Sequence, residues 1–226
     1  MKRAVEMPLK EHEIIVLKKL KKDGSIEFNI IEKTAAILRE GGMVVMPVDN
    51  IYGIVGMATP EMERKISKLI GKPNKRFVRL IANYKNLDEI ARIDKFQFDF
   101  LHRLWPGEVT VILPRKNDYT KQDEIAVRIP KNKLLSLLLE YMDRPLIYSS
   151  AFRKPRKIYY KKDEIINAYR DRVDLILIIE ELCKRHPEST IINVSKEKLK
   201  IVREGKVPVE EIKSLYFLGK DDDYLY

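Results

Sequence analysis

The sequence is short of the residues that build covalent frameworks and metal centres. It holds one cysteine, Cys183, so an intrachain disulfide framework is excluded, which suits a reducing cytoplasm. Its three histidines, His12, His102 and His186, lie far apart and lack metal-ligand spacing. No run approaches the ~18 consecutive apolar residues of a membrane span. The basic N-terminus lacks the apolar stretch and small residues of a signal peptide. These absences predict a cytoplasmic protein that does not engage a membrane. There is also no glycine-rich phosphate loop, and no nucleophile–histidine arrangement with recognisable spacing. Any catalysis would therefore rest on placed cations and backbone donors rather than on covalent or zinc chemistry.

What is abundant is charge, with a positive excess. Lysine and arginine number 44 against 34 acidic residues, a formal net charge of +10. Such an excess attracts polyanions over about a Debye length and speeds their encounter. Lysine and glutamate also enrich together on thermophile-type surfaces, so composition alone leaves both readings open. Apolar residues make up 45% of the 226, enough for a sizeable core. The two signs are interspersed, which argues against disorder.

Helical and strand patterns alternate along the chain. Residues 1–28 read as an N-terminal extension in which Ile14, Ile15, Leu17 and Leu20 share a helical face. Residues 29–216 read as one domain, and 217–226 as an acidic tail. Asn29 with Glu32 spells a capping box, and Ile30, Ile31, Thr34, Ala35 and Leu38 share a helical face up to Gly41-Gly42. Met43–Met46 is a short apolar strand ended by Pro47. A helix opens at Thr59-Pro60 and buries Met62, Ile66, Leu69 and Ile70. Further strands are predicted at 78–82, 109–113, 125–129, 146–149, 175–179 and 190–194. Helices are predicted at 96–104, 132–142, 163–170 and 209–215. The result is an α/β protein with one twisted, mixed sheet. Ligands then belong beyond strand ends, at the loops after Met46, Ala82, Leu113 and Ser150.

Taken one at a time, the motifs have plain structural readings. Pro47-Val48-Asp49-Asn50-Ile51-Tyr52-Gly53 is rich in turn formers and reads first as a tight connection. Its functional reading turns Asp49 and Tyr52 toward a ligand. Trp105-Pro106-Gly107, with Thr110 beyond it, reads as a helix stop with a core tryptophan. Arg128 at a strand end suits either a carboxylate partner or a bound phosphate. Gly71–Arg76 is a basic loop, equally a solvated loop or a phosphate contact. The 153–162 stretch interleaves basic residues with Tyr159 and Tyr160, a solvated charge run or a surface for single-stranded nucleic acid.

Their order is more telling. Pro-x-Asp-x-x-Tyr-Gly at 47–53, Gly-Lys-Pro at 71–73, Trp-Pro-Gly-x-x-Thr at 105–110 and Val-Arg-Ile-Pro at 127–130 are followed by Ser-Ser-Ala at 149–151. Ser-Thr at 189–190 and Val-Arg-Glu-Gly at 202–205 complete the series. From about Ile30 to Ile212 the chain resembles the YrdC/TsaC family of threonylcarbamoyl-adenylate synthases and their YciO-like relatives. The resemblance implies a twisted mixed sheet flanked by helices around a large basic concave cleft. It implies a reaction of threonine, bicarbonate and ATP, with Mg²⁺ carried by the ATP and no metal site of the protein's own. The products are threonylcarbamoyl-AMP and pyrophosphate, feeding the N6-threonylcarbamoyladenosine of tRNA. Such a displacement at phosphorus needs cations and positioning more than a general base.

The same resemblance assigns Asp49, Tyr52, Lys72 and Arg128 to catalysis. It gives Lys72, Ser150, Ser189, Thr190 and Arg203 to the nucleotide, and Asn50 and Thr110 to a substrate loop. The match is incomplete at the phosphate grip. The family's Lys-x-Arg pair is here Ile70-Gly71-Lys72, and the Asn of its Ser-x-Asn motif is Phe152, which has no amide to offer. Lys68, Lys75 and Arg76 are neighbours able to substitute. The alternative reading is a YciO-like protein without synthase activity that binds RNA or a nucleotide through the cleft. RNA or tRNA and tRNA-modification proteins are the partners that the resemblance implies.

Overall fold

The first element is a strand where the apolar spacing predicts a helical face. The computed structural model describes residues 12–49, 51–73, 75–116, 123–153, 157–196 and 198–221, with backbone alone at 152, 153, 157 and 219–221. Strand β1 (Glu13–Leu17) alternates half-buried and exposed positions, leaving Ile14 and Val16 outward. Ile15 and Leu17 pack on the core instead, the period of two that defines a half-covered strand. Helix α1 (Phe28–Arg39) buries Ile31, Thr34, Ala35 and Leu38 as expected. Its capping residue is Glu27, with no side-chain cap, so Asn29 is already helical and the expected capping box does not form.

Strand β2 (Val44–Val48) runs through Pro47 rather than ending there. Only Val44 and Val45 register with the strand on its outer side, so Pro47 lies past that ladder and its missing N–H costs nothing there. β2 turns back as β3 (Ile51–Met57), which makes the predicted 47–53 loop a hairpin between two central strands. Helix α2 (Pro60–Ile70) starts as predicted, with the Thr59 hydroxyl accepting the Met62 N–H at 3.2 Å and proline at its start. Gly71 ends it at φ 67. Next come β4 (Val78–Leu80), α3 (Tyr84–Ile90) and α4 (Lys95–Leu104), the last opened by an Asp94–Gln97 capping box.

After β5 (Val109–Pro114), β6 (Glu124–Arg128), α5 (Lys133–Met142) and β7 (Leu146–Ser150) comes a small hairpin, β8 (Phe152–Arg153) with β9 (Lys157–Ile158). The chain closes with α6 (Lys162–Tyr169), β10 (Leu175–Ile179), a 3-10 turn at Glu180–Leu182, β11 (Thr190–Asn193), β12 (Lys200–Arg203) and α7 (Val209–Asp221). One ten-stranded mixed sheet has the order β1-β10-β2-β3-β7-β4-β6-β5-β11-β12. Residues 13–17 are thus part of the sheet, parallel to β10.

Helices cover the two halves of the sheet differently. In the half built on β10 and β2 both faces are buried. Leu175, Leu177 and Ile179 enter a core with α1 and α5, while Ile176 and Ile178 enter another with α2 and α6. Continuous apolar runs such as LILII are what such double burial requires. In the other half, Val111, Leu113, Ile125, Val127 and Ile192 pack with α3, α4 and α7 on one face. The opposite face carries Val78, Ala126, Ile112, Thr110 and Ile191 in register, and these residues line a cavity of about 250 Å³.

Candidate functional site

The open half of the sheet meets the loop after α2, and cations gather there. Lys72, Lys75 and Arg76 from that loop join Arg203 at the end of β12 around a cavity of about 290 Å³. Ser149 and Ser150 at the end of β7, with Tyr148, Ile158 and Glu188, complete its wall. Among the described residues of this wall, Glu188 is the one carboxylate. It accepts the Ser150 hydroxyl at 3.0 Å and pairs with the Arg203 guanidinium at 2.8 Å. Arg203 is held further by two N–H bonds to the Ser189 carbonyl, at 3.2 and 2.9 Å. Its planar head is thus fixed from two sides, the preorganisation that suits a phosphate contact.

Gly205 permits this arrangement. A β-carbon there would stand 2.3 Å from the Glu188 carbonyl oxygen, so a side chain would push the β12 exit off the Glu188–Ser189 backbone. Thr190, fully buried, binds the same turn. Its hydroxyl donates to the Val207 carbonyl at 2.6 Å and accepts the Gly205 and Val207 N–H groups. Ser189 meets the buried Thr110 hydroxyl at 3.3 Å. Of the five residues assigned to the nucleotide, Lys72, Ser150 and Arg203 therefore face the cavity, while Ser189 and Thr190 brace Arg203 and its turn from behind.

Lys75 is the cation set deepest in this wall. Its ammonium donates to the Ser149 hydroxyl at 2.6 Å and lies 5.7 Å from the Phe77 ring centre. Burial, then repulsion from Lys72, brings its pKa down to about 8. Ile70, by contrast, is buried in the core with Met62 and Ile66, so the cations come from the loop beyond it. Lys68 does not line the cavity. Phe152 is described by its backbone alone, and Asn50 lies outside the described residues.

The remaining assigned residues sit under the hairpin. Asp49 and Arg128 form an ion pair at 3.0 Å with side chains 4% and 2% exposed. Asp49 also accepts the Asn132 N–H at 3.1 Å and adopts φ 51, a left-handed conformation that aspartate tolerates better than most residues. Burial raises its carboxyl above the usual range, against the pull of Arg128. The Tyr52 hydroxyl donates to the Ile179 carbonyl and accepts its N–H, both at 2.9 Å, and burial drives its pKa up. Tyr52 spends its hydroxyl on the scaffold, whereas Asp49 and Arg128 face each other as charges and Arg128 Nε is buried without a hydrogen-bond partner among the described residues. At the helix stop, Trp105 donates its indole N–H to Val109 at 2.7 Å, and a β-carbon on Gly107 would lie 2.1 Å from the Leu104 carbonyl.

A second cavity, about 770 Å³, adjoins the basic one and shares Ile158 and Glu188 with it. Tyr52, Tyr159, Tyr160, Lys184, Arg185 and His186 line it. Sequence reasoning missed Glu188 and Ser149. Both directly precede assigned residues, Ser189 and Ser150, and that adjacency was the available signal.

Comparisons with known proteins identify the family and the fold. The family model for Sua5, YciO and YrdC, described as telomere recombination, matches residues 36–205. The threonylcarbamoyl-AMP synthase of Pyrococcus abyssi is 25% identical over 193 residues, covering 82% of this chain and 56% of that protein. This chain thus spans little more than half of that relative. A Methanocaldococcus jannaschii relative is 26% identical over 188 residues, 81% of this chain and 89% of its own length. Among solved structures, Pyrococcus abyssi Sua5 superposes with a TM-score of 0.80 at 25% identity, over 90% of this chain and 60% of that one. Escherichia coli YciO gives 0.78 at 20% identity, over 89% and 99%, a likeness of fold.

Proposed function

The chain belongs to the Sua5, YciO and YrdC family, matched over residues 36–205, and on that premise we propose that it is a threonylcarbamoyl-AMP synthase. It would condense threonine with bicarbonate to a carbamate, losing water, and join that to ATP as threonylcarbamoyl-AMP with release of pyrophosphate, for threonylcarbamoyladenosine formation in tRNA. One observation carries the reading. A cavity walled by Lys72, Lys75, Arg76, Arg203 and Ser150 adjoins a larger one lined by Tyr159 and Tyr160. Fixed cations beside an aromatic pocket suit a nucleotide, with phosphates in the first and base in the second. Relatives named for this activity and a solved Sua5 complex with L-threonine support the choice of substrates.

The chemistry asks little of a general base. A carbamate oxygen attacks the α-phosphorus, and charge spreads onto phosphate oxygens that Lys72, Lys75 and Arg203 neutralise. Mg²⁺ arrives on the triphosphate. Glu188, the carboxylate of the basic cavity's wall among the described residues, would be the group to hold such an ion. Asp49, Tyr52 and Arg128 contribute by holding the β2–β3 hairpin at the cavity's edge. Threonine- and bicarbonate-dependent release of pyrophosphate from ATP tests the reading. Release no greater than in a protein-free control, with ATP bound, would refute it.

A second reading has its own observation. A groove of about 790 Å³ continues along β12, lined by Arg76, Lys196, Lys198 and Lys200. A row of lysines suits RNA phosphates, and binding would then weaken steeply with salt.

A further inference from the structure

We propose that Lys75 is the anion contact of the basic cavity through which ligand binding there depends on pH. This deepens, and rests on, the reading of that cavity as a phosphate site. The geometry singles it out among four cations. Lys72 and Arg76 are exposed, and Arg203, held by Glu188 and the Ser189 carbonyl, is a guanidinium that keeps its charge. Lys75 is the cation pulled furthest into the wall, lining both this cavity and the 250 Å³ one beside it. Ser149, at 2.6 Å, aims its ammonium from the floor strand β7.

Every element packed around it bears on its charge. Lys72 and Arg76 come from its own loop and Arg203 from β12, all positive. Glu188 is the opposing carboxylate of this cavity, Glu63, Arg79, Arg115 and Glu124 line the second cavity that Lys75 reaches, and the Phe77 ring and the β7 serines add no formal charge. Desolvation and the neighbouring cations favour the neutral amine, bringing the pKa to about 8. An anion in the cavity reverses that balance by favouring the ammonium, so binding takes up a proton when the pH lies above the free value. Affinity is therefore full below pH 8 and declines as pH rises through it. A guanidinium at this position would stay charged and show no such decline.

The test is ATP binding by calorimetry between pH 7.5 and 9.5. A phosphate ester loses its last proton near pH 6, so the ATP charge is constant over this range. The dissociation constant of the unaltered protein should rise roughly tenfold, the size of one charge-assisted contact. Lys75→Arg should bind throughout with the rise abolished. Lys75→Met should bind about tenfold more weakly at pH 7.5, also without the rise. Lys72→Met should weaken binding yet keep it. A flat profile in the unaltered protein, or a rise that persists in Lys75→Arg, overturns the proposal while leaving the phosphate site standing. Failure of ATP to bind at any pH overturns the phosphate-site reading and this inference with it.

Discussion

Single residues in this chain divide into those that face the basic cavity and those that hold the frame, and stability measurements can separate them. Lys75 carries an energetic cost when no ligand is present. Its folded pKa of about 8 lies below the ordinary 10.5, so the unfolded chain binds the proton more tightly. Below pH 8 the lysine is charged in both states and the cost is present in full; between 8 and 10.5 stability from this group rises with pH. Lys75→Met should therefore be more stable than the parent at pH 7, with the advantage shrinking toward pH 10 in denaturant titrations. Arg128 should behave in the opposite way. Arg128→Met leaves Asp49 buried without its counterion, at a cost of about 3–5 kcal/mol. Adding Asp49→Asn should recover part of that loss in a double-mutant cycle. Tyr52→Phe strips Ile179 of a donor and an acceptor partner, and should cost roughly 1–3 kcal/mol by the same titration.

Elements were legible where one physical signal dominated, and misread where two competed. The continuous apolar run of β10 and the Thr59-Pro60 start of α2 could be placed from sequence, since double-sided burial and proline at a helix start leave few alternatives. β1 could not. Ile14, Ile15, Leu17 and Leu20 fit a helical face as well as a strand, and only the exposed edge of β10 decides between them. Ile15→Ala should accordingly destabilise the whole fold, by about 1–2 kcal/mol for a partly buried side chain, rather than melt a detached segment. The 47–53 stretch was misread for a related reason. Its turn formers Pro47 and Gly53 lie inside the paired strands β2 and β3 rather than in a loop. For the candidate site, the motif series named Lys72, Ser150 and Arg203, which line one cavity. It could not show that Asp49 and Arg128 bury each other, because that contact joins residues far apart in sequence.

At the scale of the whole molecule, the sheet's two unequally covered halves turn a diffuse positive charge into a located one. Where helices bury both faces, neither face is open to a ligand. Where α3, α4 and α7 pack one face, the other opens toward Lys72, Lys75, Arg76 and Arg203, and the groove along β12 extends that surface with Lys196, Lys198 and Lys200. The two regions make different demands on an anion. The cavity beside Glu188 fixes its arginine by hydrogen bonds on two sides, which favours a compact phosphate in one pose. The groove presents flexible lysines, which favour a long polyanion in many poses. With ATP proposed for the cavity and RNA for the groove, substitutions should dissociate the two ligands. Arg203→Ala should weaken ATP binding by about tenfold or more while changing the affinity for a single-stranded RNA by less. Lys198→Glu with Lys200→Glu should do the reverse, and should flatten the dependence of RNA affinity on salt by roughly two phosphate contacts. Equal losses of both ligands in both variants would mean that net charge, and not the division of the sheet, governs what this protein binds.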